Sequence, residues 1–314
     1  MFDILAVTGP VYLAIALGYG ATRWGLFDRA ELRVLGKFVI HLALPALLFN
    51  AMATRRFGDI FNVAYALTYL SATYALLGIG WLWCRHLARL DTATSAVYLM
   101  GMSCPNSSFV GYPILLLTVA PVAGVTLAQN TLMENLLVTP LLLALAESGR
   151  TGGGHGLQVL ARTLGRLARS PMILAMAAGL LVSLSGLSLP APVARTVNLF
   201  ALTSGALALF VIGGSLVGLP MRRMGGQVAP IVLGKLVLHP LAVFAASLLV
   251  PALGGPLLDA ELRMALLVLS AVPMMSIYPI LAQAYGHEGL SAAAMLATTL
   301  TSFFTLSGLL WIVR

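Results

Sequence analysis

The chain has 314 residues, of which 60% are apolar and only 9% charged, with a formal net charge of +8. Soluble domains carry about 25% charged residues, so a water-soluble globule is excluded, and the lack of ten-residue alternating strands excludes a transmembrane barrel. Two cysteines, Cys84 and Cys104, make neither a disulfide framework nor a metal pattern, and the positive charge reads as cytoplasmic loop residues, not as a nucleic-acid surface.

Apolar runs near the roughly 20 residues that span a bilayer recur from end to end. They predict an all-α polytopic membrane protein of ten spans, at 3–22, 34–53, 61–84, 93–117, 123–146, 171–189, 196–218, 228–250, 262–284 and 289–312. The first run starts at Ile4 without the basic flank and cleavage site of a signal peptide, so it reads as a retained span. The fourth span contains "CPNSSFVGYPIL" (104–115), which holds two prolines, a glycine, an asparagine and two serines. Proline removes a backbone donor, and lipid offers no substitute partner.

Between the fifth and sixth spans lies a loop at 147–170. It opens on a flexible glycine-rich piece, "ESGRTGGGHG", and continues as "LQVLARTLGRLARS", with leucines at helical spacing and Arg162, Arg166 and Arg169 on another face. This predicts a basic amphipathic helix on the membrane surface. Twelve Lys and Arg fall in the loops of one side (Arg23, Arg29, Arg33, Lys37, Arg85, Arg89, Arg150, Arg162, Arg166, Arg169, Arg222, Arg223) and five on the other (Arg55, Arg56, Arg195, Arg263, Arg314). The richer side belongs in the cytoplasm, which sends both termini to the non-cytoplasmic face of the cell (inner) membrane.

The ten spans divide into two fives. Pro10, Gly18 and Gly25 in the first half match Pro171, Gly179 and Gly186 in the second at a constant offset of 161, and "LLF" (47–49) matches "ALF" (208–210) at the same offset. "CPNSSFVGYPIL" is answered by "VPMMSIYPIL" (272–281), with Tyr-Pro-Ile-Leu in both. Because five is odd, the halves enter the membrane from opposite sides. The expected organisation is a first repeat at 1–146, the cytoplasmic loop at 147–170 and a second, inverted repeat at 171–314. Inverted repeats with broken helices at matching places point to a secondary transporter. Two proline-broken crossover helices, spans four and nine, would aim half-helix N-termini at one point, where an anion binds without a formal countercharge and Asn106, Ser107 and Ser108 supply hydrogen bonds.

At these residues the chain resembles the auxin efflux carrier family, which includes plant auxin exporters and bacterial malonate-type permeases. The resemblance runs over the whole chain. "PNSSFVGYP" (105–113) is similar to the family's fourth-span motif and "VPMMSIYP" (272–279) to its ninth-span counterpart. It implies crossover prolines at Pro105 and Pro273 and a substrate contact at Asn106, while Met274 stands where plant members carry a polar residue. The long central loop and the third-span carboxylate of plant members are missing here, which indicates a prokaryotic-type member. The resemblance further implies a scaffold of spans 1, 2, 6 and 7, a transport unit of spans 3–5 and 8–10, elevator-like displacement, small organic anions as substrates, and a homodimer.

An ionisable group inside a membrane is a functional candidate. Glu134 lies in "AQNTLMENLLVTP" (128–140), and Lys235 and His239 lie i,i+4 in "GKLVLHP" (234–240). Three readings stay open: a Lys235–Glu134 ion pair, a coupling proton or ion on Glu134 or His239, and a Lys235 contact to the substrate carboxylate. Asn50 either faces the substrate path or makes a helix-packing hydrogen bond. The expected function is thus a carrier of a small organic carboxylate, malonate-like or auxin-like, with no cofactor and with proton or sodium coupling. The alternative is a sodium-coupled symporter of the bile-acid type, for which Asn106, Ser107, Ser108, Gln129, Asn130 and Glu134 would form the sodium cage. No catalytic motif and no Walker A sequence occurs, so neither an enzyme nor an ATP-driven pump is expected.

Overall fold

A computed structural model describes residues 2–54, 61–151, 168–186, 189–218 and 225–313, together with positions 158, 161 and 165. The predicted surface helix at 157–170 falls largely outside the described residues. Among those described, the chain is all-helical, and twelve helices serve here: α1 (Phe2–Arg23), α2 (Arg29–Ala53), α3 (Val63–Leu87), α4 (Thr92–Ser103), α5 (Ser107–Thr118), α6 (Ala120–Arg150), α7 (Pro171–Ser185), α8 (Ala191–Ser215), α9 (Gly226–Ala252), α10 (Ala260–Ala271), α11 (Tyr278–Gln283) and α12 (Glu288–Val313). Six of them, α2, α3, α6, α8, α9 and α12, are long and apolar enough to cross a membrane.

Several helix starts follow from local chemistry. Asp28 caps α2 in a capping box: its carboxylate accepts from the Ala30 and Glu31 amides at 2.6 and 2.8 Å, and Glu31 reaches back to the Asp28 amide at 2.8 Å. Ser170 caps α7, accepting from the Ile173 amide at 3.2 Å, with Pro171 at the first helical position, where a missing N–H does no harm.

Among the described residues, five wide π-helical turns occur, at Val39–Ala43, Trp83–Leu87, Ser107–Gly111, Glu134–Val138 and Gly234–Leu238. Four have one cause. Pro45, Pro113, Pro140 and Pro240 each stand two residues beyond a turn. Each proline has no N–H for the carbonyl four residues back, and its ring would strike that carbonyl. Those carbonyls belong to His41, Phe109, Leu136 and Leu236, all inside the turns. Widening the turn moves the carbonyl aside and lets the helix continue.

The helices form two compact units. The first comprises Met1–Asn62, Ser107–Leu132 and Leu167–Val217. Its core gathers Leu47, Leu48 and Met52 of α2, Leu127 and Ala128 of α6, Met176 of α7 and Ala201 of α8. Here α1 packs on α8 and α7 on α2. A Cβ on Gly18 would overlap the Phe210 carbonyl, and a Cβ on Gly179 would overlap the Phe49 carbonyl. Gly18 and Gly179 are 161 residues apart, and so are Phe49 and Phe210.

The second unit comprises Val63–Asn106, Met133–Arg166 and Gly218–Arg314. Tyr65 and Tyr69 of α3, Leu99 and Met100 of α4, Lys235 of α9 and Tyr278 of α11 are its largest fully buried side chains. The Tyr278 phenol donates to the Val97 carbonyl at 3.1 Å and ties α11 to α4. At the start of α4, Asp91 accepts from the Thr94 amide at 2.9 Å and the Thr94 hydroxyl at 2.5 Å. These bonds, the hydroxyl first, hold the Asp91 carboxyl below the usual carboxylate range. Residues 107–132 belong to the first unit.

Candidate functional site

At Cys104–Asn106 and at Val272–Ile277 an apolar segment leaves helical geometry and resumes it. The two stretches meet as a single antiparallel bridge between Pro105 and Met274. The Asn106 amide donates to the Pro273 carbonyl at 2.8 Å, and the Met275 amide donates to the Cys104 carbonyl at 3.0 Å. This register explains why proline is tolerated at both places. Pro105 sits in the non-hydrogen-bonded position, where no N–H is required, and Pro273 contributes only its carbonyl. Backbone groups released from the helices thus find partners in protein rather than lipid. Pro105, Asn106, Pro273 and Met274 are all buried.

Lys235 and His239 lie in the same unit as this bridge, both with no solvent exposure. The Lys235 ammonium donates to the Ser270 carbonyl at 2.5 Å and lies 3.2 Å from His239 Nδ1. Ser270 is in the last turn of α10, whose final carbonyls have no intrahelical donor. The ammonium therefore caps the negative end of the helix that leads into Pro273. On its other side His239 presents Nε2 to the Thr73 hydroxyl at 3.4 Å, and its ring lies 6.4 Å from that of Tyr69. Glu134, half-buried, is near enough to act electrostatically on Lys235, Cys104, Tyr65 and Tyr69.

In the first unit, Asn130 Nδ2 donates to Ser107 Oγ at 2.8 Å. Gln129 is buried beside Asn130 in the chain, and Ser108 is half-buried. Asn50 lines a cavity of about 500 Å³ within this unit, together with Thr54, Tyr112, Asn198 and Ser204, and no charged side chain lines it. His41 is exposed, and its Nδ1 lies 3.0 Å from the Lys37 carbonyl.

Sequence reasoning missed Ser270 and Thr73, the partners of the buried bases, and Tyr65 and Tyr69. The last two, with Thr73, recur every fourth residue along α3, a polar stripe in an apolar helix that marks a buried polar contact. Ser270 contributes only a carbonyl, and no side-chain pattern reports that.

Long apolar helices, a buried unwound bridge and a sparse set of buried ionisable groups define a multi-pass membrane transport protein. The chain belongs to the auxin efflux carrier family: the family model described as "Membrane transport protein" matches residues 4–312. It is 27% identical to the "Putative malonate transporter" of Rhizobium meliloti (strain 1021), over 100% of this chain and 97% of that one. It is 24% identical to the "Uncharacterized transporter YfdV" of Escherichia coli (strain K12), over 76% of each. It is 28% identical to "Auxin efflux carrier component 2" of Arabidopsis thaliana, over 47% of this chain and 23% of the plant protein. The chain is a transporter, not an enzyme.

Proposed function

We propose that this chain is a secondary transporter of a small organic carboxylate anion, malonate-like or auxin-like, which binds where the Pro105 and Pro273 segments meet. The bridge of two backbone hydrogen bonds carries this reading. It supports a crossover of two proline-broken helices, in which backbone dipoles and the Asn106, Ser107 and Ser108 side chains receive the carboxylate. The full-length similarity to a protein named for malonate points the same way.

The finer architecture belongs to the same proposal. Gly18 beneath Phe210 and Gly179 beneath Phe49 are one contact seen twice at one offset, as a pseudo-two-fold axis between inverted five-helix repeats requires. In this reading the scaffold is built on the first, second, sixth and seventh spans and the transport unit on the third to fifth and eighth to tenth. The transport unit moves as an elevator. The protein works as a homodimer in the inner membrane, with both termini on the non-cytoplasmic side.

Uptake of radiolabelled malonate into proteoliposomes tests the reading. Asn106→Ala removes a hydrogen bond to a charged group, worth about 1.5–3 kcal/mol, so uptake should fall tenfold or more. If aromatic or hydroxy acids move and malonate does not, the dicarboxylate assignment fails. If no organic acid moves in either direction, the carrier reading fails.

A further inference from the structure

Two basic groups in direct contact, Lys235 and His239, both lacking any exposure to water, have no part in a purely dipolar anion site. Their surroundings are sparse in charge. On α3, His239 faces Tyr69 and Thr73, with Tyr65 one turn away. From α10 the pair meets only the Ser270 carbonyl, because Glu261 and Arg263 lie at the far end of that helix. Tyr98 on α4 and the exposed Glu288 on α12 are the titratable groups of the other helices packed on the Lys235 turn. Glu134 and Cys104 act on Lys235 electrostatically.

With Lys235 as an ammonium, which only donates, His239 Nδ1, 3.2 Å away, is the acceptor. In that arrangement the imidazole is neutral, with its hydrogen on Nε2, 3.4 Å from Thr73 Oγ1. The pair holds one positive charge between two bases. A second proton would set two like charges side by side in a buried site, which is strongly unfavourable unless a negative charge arrives nearby.

We propose that the Lys235–His239 pair is the proton-coupling site of this transporter, which takes up one further proton when a carboxylate occupies the crossover. The inference rests on the carboxylate reading above. Lys235 holds the Ser270 carbonyl, and the chain runs from there through Val272 into Pro273 and Met274, so pair and crossover share one short segment. The anion's charge offsets the repulsion between imidazolium and ammonium. The Lys235 hydrogen turns away from His239, the incoming proton bonds to Nδ1, and it leaves to water when the anion leaves. One proton crosses with each anion, so a monocarboxylate moves without net charge, whereas doubly ionised malonate carries one net negative charge across. Linkage is reciprocal, so protonation tightens anion binding by the factor by which the anion favours protonation. The same ammonium disfavours a sodium ion beside it.

The test compares two malonate uptake rates in proteoliposomes with the membrane potential clamped: one driven by an acid-outside pH gradient, the other by counterflow without a gradient. For wild type, one pH unit should raise accumulation about tenfold, and a sodium gradient should leave it unchanged. In His239→Asn, which keeps an acceptor for Lys235 but cannot take a proton, the ratio of gradient-driven to counterflow uptake should collapse to its value without a gradient. A full pH response in His239→Asn overturns the proposal, and so does wild-type uptake driven by sodium alone. If wild type moves no organic acid by either route, the carrier reading is what has failed. The pair is then judged by 15N NMR of histidine-labelled protein, with the His239 signal assigned by its loss in His239→Asn. At pH 8 without anion, His239 should show the neutral Nε2–H tautomer in wild type and lose that preference in Lys235→Met; an Nδ1–H tautomer in wild type overturns the shared proton.

Discussion

Asp91 is a single side chain whose contribution can be followed with pH. It caps α4, the helix that leads into the bridge, and its carboxylate takes both the amide and the hydroxyl hydrogen of Thr94. With its hydroxyl hydrogen committed to Asp91, Thr94 can accept from His287 Nε2, 3.0 Å away, which links the start of α4 to the start of α12. Asp91→Ala should lower stability by about 1 kcal/mol near neutral pH. Because folding lowers the Asp91 pKa, its contribution is present above the unfolded carboxylate value near 4 and disappears as pH falls through the folded value. Thermal unfolding in detergent should therefore show a gap between wild type and Asp91→Ala that is constant from pH 7 to 5 and closes below about pH 4. At this scale the sequence was informative where a residue type has one use in an apolar run. Pro105, Pro273 and Lys235 stood out because lipid tolerates none of them unpartnered. The partners were illegible, since Ser270 acts through a backbone carbonyl that every residue owns.

The long helices show how proline can shape a span without ending it. A proline two residues beyond each of four wide turns means that "HLALP", "SSFVGYP", "ENLLVTP" and "GKLVLHP" share one local solution. Residue spacing placed the helices well, because hydrophobic length is a coarse signal that survives a bulge. It did not place the bulges, because a kink, a break and a π-turn all begin from the same missing N–H. A bulge adds a residue to one turn and so rotates everything before it by about 100° relative to a regular helix. Lys235 lies in such a turn and donates from it to the Ser270 carbonyl. Pro240→Ala restores the N–H and lets the turn relax to α-geometry, which carries Lys235 off the α10 terminus. The variant should keep its helix content by circular dichroism, while malonate uptake falls about tenfold or more, as expected when a positioning group moves by an ångström. Unchanged uptake would mean that packing from α4 and α12, not the proline, holds the turn.

At the scale of the molecule, the offset of 161 joins sequence to structure. Three matched residues and one tripeptide are a faint trace of symmetry, yet two of the matched positions return as equivalent contacts, Gly18 on Phe210 and Gly179 on Phe49. Repeats that have diverged keep glycine where backbones touch and lose identity elsewhere, because only the contact penalises a Cβ. The compact units were less legible, since residues 107–132 group with the first unit through packing on α1 and α8 that no local pattern encodes. The proposed symmetry makes a prediction that chance matching does not. Gly18→Val and Gly179→Val each force a side chain against a carbonyl in an equivalent place, so each should destabilise the detergent-solubilised protein, by about 1–3 kcal/mol and by similar amounts. Gly78→Ala, in open space on α3, should leave stability unchanged or raise it by up to about 1 kcal/mol through helix propensity. Thermal unfolding followed by circular dichroism reads all three. If Gly18→Val destabilises strongly while Gly179→Val behaves like Gly78→Ala, the two contacts are not equivalent and the pseudo-two-fold relation between the halves is lost with them.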